Sequence, residues 1–386
     1  MAAVQNRLCT MMPAAPLSQI GEVAMHYGFV PTGSVRLMKE DKERARFLKE
    51  EPCACLPSVY AEEKVALLRH YETERPVGSL EPVLFYRERV IGENSLTAHL
   101  DIIGSSKSIA EALVIKAAVE ALRELGEDRP EVRINSVGDR DSLARFAREL
   151  HGFYRKRADA LHASCREALK QETIFSLIAC EHEACKTLRT DAPRSIGFLS
   201  DSSRTHFKQV LEYLEQLDVP YELHEHLVGP SSMCTQTVFD IRNSSGALLA
   251  SGFRYNHLAR RIGFRHDIPA LGATLVMRTA AKVAARKQPQ ARSFYFVQLG
   301  ERAKLQGIRI IELLRRAGLF VLQSLISDKL GSQIAAAESL GIPYLIIVGQ
   351  KEAVDGTALV RDRERSFQET LPVEKLPSFL KRLIAR

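Results

Sequence analysis

Three cysteines and one histidine are the residues whose types best suit metal chemistry. Cys165, Cys180 and Cys185 lie close together in the sequence, and His182 stands between the last two. Zinc sites usually pair cysteines about two to four residues apart, and only Cys180 and Cys185 come near that spacing. We therefore predict partly buried thiols that bind no metal, and keep a zinc site as the weaker alternative.

The sequence lacks the short motifs of several common catalytic sites. It contains no GxxxxGK[ST] phosphate loop, no HExxH zinc motif and no GxSxG nucleophile turn. His224 and His226 share one face of a predicted strand, but no carboxylate and nucleophile accompany them, so we predict surface histidines. Any catalytic chemistry must therefore be carried by longer segments.

Sequence periodicity predicts the elements that would position these residues. The first part of the chain is expected to form a helix over 17–27 that ends at Gly28, a charged helix over 39–51, a β-hairpin over 80–104, a helix over 106–126 and a strand over 131–139. Ser108 and Glu111 have the spacing of a capping box for the helix over 106–126.

The remaining patterns divide the chain. They predict amphipathic helices between 140 and 222, a hairpin with its turn at 244–246, and a basic helix from Gly272 to Lys287. From position 291, strands and helices alternate, which predicts an α/β domain with a largely parallel sheet. We expect a core formed by two segments, 1–139 and 223–290. A helical insertion, 140–222, separates them, and a C-terminal domain, 291–386, follows.

Composition is typical of a folded protein with two or three domains. The 386 residues are 45% hydrophobic and 26% charged, with a net charge of +7. We expect no transmembrane helix and no signal peptide, because no apolar run is long enough. The seven cysteines are scattered along the chain, which argues against a disulfide framework and favours a reducing cytoplasm. The positive charge is compatible with a polyanionic partner.

Several ordered segments carry the strongest signal. They are INSVGD (134–139), CREAL (165–169) through DAP (191–193), LSDSSRTHFKQVLEYLEQLDVPYELHEHLV (199–228), TQTVFDI (235–241), SGFRYNHLARRIG (251–263) and PALGATLVM (269–277). Their order and spacing resemble the histidyl-tRNA synthetase family of class II aminoacyl-tRNA synthetases. LGSQIAAAESLGIPYLIIVGQKEAVDGTALVRD (330–362) is similar to that family's anticodon-binding domain.

The resemblance implies an α+β fold: a class II synthetase-like antiparallel sheet with helices and a helical insertion, followed by a C-terminal α/β anticodon-binding-like domain. It also implies a homodimer. The family joins histidine to ATP with Mg²⁺ and transfers it to tRNA, which requires cations on the phosphates and carboxylates for the amino group.

The phosphate-binding motifs of the family are substituted here. In the second class motif an Arg stands two residues before a Glu; anchored on Glu88, that position holds Tyr86. Arg87 is displaced by one residue, which on a strand turns its side chain to the opposite face unless a local slip corrects it. In the third motif, Thr279 takes the place of the Arg and Arg278 that of the Glu.

The histidine-binding signatures are only partly retained. In the first signature, segment 229–236 has lost both arginines, the Asp and both tyrosines. In the second, Arg254 and Tyr255 match, while Phe253 and His257 replace glycines. Glu62 falls on the family's carboxylate for the substrate amino group. By this resemblance, the residual pocket candidates are Glu62, Arg87, Arg89, Arg254 and Tyr255, and we place no catalytic residue with assurance.

Nucleic-acid contacts are expected from the basic C-terminal part. Segment 291–386 carries 15 Lys and Arg against 10 Asp and Glu, a net charge of +5. Such charge suits sequence-independent contact with a phosphate backbone, although an ordinary solvated surface would have it too. The family's Lys pair is reduced to one lysine, Lys329. The candidates are Arg278, Lys282, Arg286, Lys287 and Lys329.

These observations predict a histidyl-tRNA synthetase paralogue that does not aminoacylate and acts as a tRNA-binding or regulatory subunit. One alternative is a divergent but active ligase that uses ATP and Mg²⁺. In such a ligase Arg87 or Arg89, together with Arg278, would take over the contacts to the ATP phosphates. The other is a histidine-sensing subunit resembling that of ATP phosphoribosyltransferase, against which the C-terminal domain argues.

Overall fold

The computed structural model describes residues 18–32, 35–46, 48, 61–74, 82–91, 95–170, 174–230, 232–277, 294–324, 326, 329–365 and 367–384. Up to residue 223 its elements are α1 (Gln19–His26), β1 (Val30–Pro31), α2 (Lys39–Ala45), α3 (Ala61–Glu74), β2 (Val83–Ile91), β3 (Ser95–Ile103), α4 (Ile109–Glu124), β4 (Glu131–Gly138), α5 (Arg140–Arg155), α6 (Ala163–Lys170), α7 (Phe175–Ile178), α8 (Glu183–Thr190), α9 (Asp201–Gln216) and β5 (Tyr221–Leu223).

The remaining elements follow in the order β6 (Thr235–Arg242), β7 (Leu248–Arg254), α10 (Leu258–Arg261), β8 (Ala270–Met277), β9 (Phe294–Gln298), α11 (Glu301–Arg316), β10 (Val321–Gln323), α12 (Leu330–Ser339), β11 (Tyr344–Val348), α13 (Gln350–Asp355), β12 (Thr357–Asp362), β13 (Gln368–Pro372) and α14 (Leu376–Ile384). Among the described residues, none of these helices is long and apolar enough to cross a membrane.

An eight-stranded sheet forms the centre of the first 277 residues. Its order is β1-β2-β3-β8-β7-β6-β4-β5. The six inner strands pair antiparallel, as expected, whereas the short edge strands β1 and β5 pair parallel with β2 and β4. The predicted antiparallel sheet is therefore confirmed for its inner strands, and the sheet as a whole is mixed.

One face of this sheet is apolar and covered by helices. Residues directly opposite each other on paired strands point to the same side, and Tyr86, Leu100, Ala273, Phe239 and Ile134 form such a row. All five are buried in one core with α1, α4 and α9. We call this the helix face.

Two local predictions on these elements are wrong. Ser108 does not cap α4 through its side chain; its hydroxyl donates to Gln209, and Glu111 is turned into the interior. The segment from Gly272 to Met277 is part of strand β8, because its alternate side chains pair across β3 and β7. The rest of the predicted basic helix, 278–287, lies outside the described residues.

Short helices fill the segment between β4 and β5. Phe146, Leu150 and Tyr154 recur every four residues along α5 and are all fully buried, which confirms the predicted amphipathic helix. Together with α6, α7 and α8 they form part of a second core on the other side of the sheet. The predicted domain boundaries, including that near 222, stay predictions.

The C-terminal residues build a second, five-stranded sheet of order β10-β9-β11-β12-β13. Strands β9, β10 and β11 are parallel, as expected from the strand–helix alternation, while β12 pairs antiparallel with both β11 and β13. Helix α11 packs against α1, where the Tyr27 hydroxyl donates to Glu312 at 2.9 Å.

Candidate active site

The face of the main sheet opposite the helix face carries a row of polar residues. Strand pairing places six side chains in line across β2, β3, β8, β7, β6 and β4: Arg87, His99, Thr274, Ser251, Asp240 and Arg133. A polar row on the inner strands of a sheet needs partners, because unpaired polar groups lose more in desolvation than they recover. We call this side the polar face.

Glu63 of helix α3 is the partner at one end of this row. Its carboxylate lies 3.3 Å from Nη1 of Arg89, 3.7 Å from Nη1 of Arg87 and 3.6 Å from Nε2 of His99. The Glu63 side chain is 7% exposed, whereas Arg89 is 52% exposed. The two strand β2 arginines are thus held by a carboxylate of this chain.

His99 is neutral at physiological pH. Burial lowers the pKa of His99 to about 4, and the nearby Lys64, Arg87 and Arg89 contribute to that shift against the opposing effect of Asp101. Its Nδ1 lies 3.1 Å from the Thr274 hydroxyl. His99 therefore adds no positive charge to this end of the polar face.

A second buried contact lies beside the first. The Lys64 ammonium donates to Oδ1 of Asp101 at 3.0 Å, and the Tyr255 hydroxyl donates to the same oxygen at 2.7 Å. The ammonium also lies 4.4 Å from the centre of the Tyr255 ring, a cation–π contact. Sequence reasoning missed Lys64 and Asp101, since nothing in their local pattern distinguishes them from other helix and strand positions.

Gly272 leaves the space that the Lys64–Asp101 pair occupies. A Cβ atom at this position would lie 2.0 Å from Oδ1 of Asp101 and 2.7 Å from Nζ of Lys64. The pair and the glycine therefore depend on each other for close packing of α3 on the sheet.

These groups enclose a small cavity. Its lining residues are Thr32, Glu63, Lys64, Leu67, Phe85, Tyr86, Arg87, His99 and Asp101, and its volume is about 10 Å³. That is about the space that one water molecule needs. Among the described residues, the cavity has room for about one water molecule.

The predicted pocket candidates fall into three groups. Arg87 and Arg89 point to the polar face and Arg87 lines the cavity, as the alternative of a local slip requires, whereas Tyr86 is turned to the helix face. Tyr255 lies directly behind the cavity, on Asp101. Glu62 is not among the lining residues, and Glu63, one position along the helix, takes that place.

Arg254 is not among the residues that line this cavity. It points to the helix face, where Nη2 and Nε contact the two oxygens of Glu111 at 2.5 and 2.7 Å. It also donates to the backbone carbonyls of Ser105 and Lys107 and to Oδ1 of Asn256. Burial raises the pKa of Glu111. The opposing effect of Arg254 and His206 is larger and lowers that pKa to about 2. Arg254 therefore fixes β7 to α4.

The remaining candidates lie elsewhere. Lys329 is exposed immediately before α12. Arg278, Lys282, Arg286 and Lys287 lie outside the described residues. The three cysteines, whose sequence spacing did not favour a cluster, are brought together: Sγ of Cys165 lies 3.1 Å from Sγ of Cys180 and 3.5 Å from Sγ of Cys185.

Comparison with known proteins decides the family. The Anticodon binding domain family matches residues 294–383. The histidine–tRNA ligase of Geobacillus thermodenitrificans is 31% identical over 291 residues, covering 73% of this chain and 68% of the relative. The chain belongs to the histidine–tRNA ligase family. The ligase of Geobacillus kaustophilus is 30% identical over 297 residues, covering 74% of this chain and 69% of the relative.

Solved structures agree on the fold. The apo histidyl-tRNA synthetase of S. aureus aligns over 94% of both chains with a TM-score of 0.50 and 18% identity. A Bacillus halodurans structure titled as an ATP phosphoribosyltransferase regulatory subunit/histidyl-tRNA synthetase aligns with a TM-score of 0.45, too low to separate the hypotheses. The predicted family and the predicted arrangement of a class II-like sheet followed by an anticodon-binding domain are confirmed.

Proposed function

We propose that this member of the histidine–tRNA ligase family does not aminoacylate and acts by binding tRNA. The observation that carries the proposal is the position of Glu63, which holds the two strand β2 arginines nearest the cavity. Those arginines are the cations that a nucleotide phosphate would need, and the space beside them is about 10 Å³.

Electrostatics oppose ATP at this place. Glu63 presents a negative charge where a phosphate would have to approach, and its side chain is nearly buried. Removing one partner from a buried ion pair leaves the other charge uncompensated, at a cost of about 3–5 kcal/mol. Arg89 is half exposed and could turn away at little cost, but Arg87 is 26% exposed and remains next to Glu63.

Binding of tRNA is assigned to the C-terminal domain. The Anticodon binding domain match covers it, and its sequence carries a net charge of +5. The exposed basic residues of its described part include Lys329, Lys351, Arg361, Lys375, Lys381 and Arg382. Lysines and arginines at a surface supply affinity for the phosphate backbone without reading sequence.

A divergent ligase is the second candidate. It is favoured by one observation, that Arg87 and Arg89 do point to the polar face. In this case ATP and Mg²⁺ would have to displace Glu63 from both arginines.

The homodimer expected from the family remains a proposal for either candidate, and light scattering of the purified chain tests it. A histidine-sensing regulatory subunit remains a prediction.

Histidine-dependent ATP–pyrophosphate exchange tests the proposal, with an ordinary histidyl-tRNA synthetase as the positive control. We expect exchange at background level. Exchange well above background that Arg87→Ala abolishes would overturn the proposal and favour the ligase. Loss of exchange in Arg254→Ala would not report on catalysis, because removing Arg254 breaks its buried ion pair with Glu111 and destabilises the fold.

Filter binding of tRNA over a range of salt concentrations tests the second half. We expect affinity to fall steeply with salt, and Lys329→Glu to reduce the salt slope by about one. Lys39→Glu is the matched control, since Lys39 is an exposed lysine on α2 outside the C-terminal domain. Equal losses in the two variants, or no binding by the wild type, would contradict the assignment.

A further inference from the structure

Three short elements between β4 and β5 bring three thiols to one point. Cys165 lies on α6, Cys180 follows α7, and Cys185 lies on α8. The sulfur of Cys165 is 3.1 Å from that of Cys180 and 3.5 Å from that of Cys185, and all three sulfurs lie within 4.8 Å of one another. Cys165 and Cys185 are buried, and Cys180 is half-buried.

This spacing is close to what a zinc ion requires. With zinc–sulfur bonds of about 2.3 Å, the sulfurs of a tetrahedral site lie about 3.8 Å apart. The three thiols come from separate elements, and the sulfur of Cys165 contacts both of the others. The three sulfurs form one triangular face of such a tetrahedron.

Two exposed histidines are candidates for the fourth ligand, although neither has a ring nitrogen within 4.8 Å of all three sulfurs. His162 stands three residues before Cys165, and His182 stands three residues before Cys185. Their rings stack with their centres 3.6 Å apart. Since a structural zinc site commonly has three cysteines and one histidine, rotation of either imidazole toward the sulfurs would complete the tetrahedron.

A separate observation concerns Tyr154, which reaches the cluster from helix α5. Its side chain is fully buried, and its hydroxyl has no hydrogen-bond partner among the described residues. Tyr154 lies in the same buried core as Cys165 and Cys185, and Cys180 packs against that core. A zinc-bound thiolate is an acceptor for this hydroxyl, and such hydrogen bonds from surrounding residues orient metal ligands.

We propose that Cys165, Cys180 and Cys185, with His162 or His182, bind a structural zinc ion. On binding, each thiol loses its proton and becomes a thiolate ligand. The metal would join α6, α7 and α8, which have eight, four and eight residues. Helices this short are marginal without tertiary support, so a metal cross-link would add stability to this segment.

The metal content of the full chain tests the proposal. The protein is prepared without a polyhistidine tag, loaded with zinc, desalted and analysed by mass spectrometry of the metal. We expect about one zinc per chain, and at least a fivefold loss in Cys185→Ser. Cys234→Ser is the matched control, because Cys234 is a buried thiol outside the cluster, and it should keep its zinc.

A second measurement covers the case in which Cys185→Ser fails to fold. A mercurial reagent is titrated into the wild type, and a zinc-sensitive dye follows release of the metal. We expect zinc to leave as the cluster thiols are modified, and the chelated protein to unfold at a lower temperature. Zinc well below one per chain in the loaded wild type, or a disulfide between Cys165 and Cys180 in peptide mapping, would overturn the proposal.

Discussion

Arg254 and Glu111 form an ion pair in which both side chains are completely buried. The pair joins strand β7 to helix α4 on the helix face of the main sheet, and Nε2 of His206 donates to the same carboxylate at 2.6 Å. The residue that best matches a histidine-binding signature therefore stabilises the fold.

Breaking this pair should destabilise the protein strongly. We expect Arg254→Met to lower the free energy of unfolding by about 3–5 kcal/mol, because the Glu111 carboxylate stays buried without its partner. Arg194→Met is the control, since the Arg194–Glu225 pair is exposed, with side chains 58% and 37% accessible, and should cost less than about 1 kcal/mol. Denaturant unfolding measures both, and equal losses would contradict the assignment.

Glu88 should make stability depend on pH. Burial raises the pKa of Glu88 from 4.5 to about 7, against a smaller opposing effect from the Gly21 backbone. The raised pKa means that ionisation opposes folding: the cost is absent below pH 4.5, grows up to pH 7 and is constant above. We therefore expect Glu88→Gln to stabilise the protein by about 3 kcal/mol near pH 8 and hardly at all near pH 4.

The measurement is denaturant unfolding of the wild type and Glu88→Gln at both pH values. Glu43→Gln serves as the control, because the Glu43 side chain is 55% exposed and its difference from the wild type should not change with pH. An effect of Glu88→Gln that is the same at both pH values would show that the pKa of Glu88 does not differ between the folded and unfolded states.

Gly272→Ala should damage the candidate site and the fold together. The added methyl would meet the Asp101 carboxylate at 2.0 Å and separate it from Lys64. We expect the free energy of unfolding to fall by about 1–3 kcal/mol, as it does when an extra group is forced into a closely packed position. Gly152→Ala is the matched control: it lies in α5 with nothing within 4 Å of an added Cβ, and should be neutral or stabilising by up to about 1 kcal/mol. Thermal unfolding compares the two, and equal shifts would contradict the crowding.

Removing the Glu63 charge should free the arginines of strand β2. We expect Glu63→Gln to bind inorganic pyrophosphate at least about tenfold more tightly than the wild type at low salt, because phosphate no longer competes with a carboxylate. Isothermal titration calorimetry measures the affinities. The double variant Glu63→Gln with Arg87→Gln should lose the gain. Weaker binding by Glu63→Gln would instead indicate that Glu63 helps to bind substrate.

The sequence by itself determined the family, the hairpins, the amphipathic helices and the C-terminal α/β domain. These features depend on local periodicity, on turn residues such as those at 244–246, and on the order of long segments. All of these can be read directly from the amino-acid sequence. The loss of the family's arginines at positions 86 and 279 was also visible there, since it requires only an alignment.

Only the tertiary structure decided which side chains meet. Glu63 rather than Glu62 contacts Arg87, because the rotation of α3 over the sheet selects one of two neighbouring residues about 100° apart on a helix. Arg254 meets Glu111 because the register of β7 turns it to the helix face. The three cysteines converge because three short helices pack together. Rotation, register and packing depend on contacts between distant parts of the chain, which local patterns do not specify.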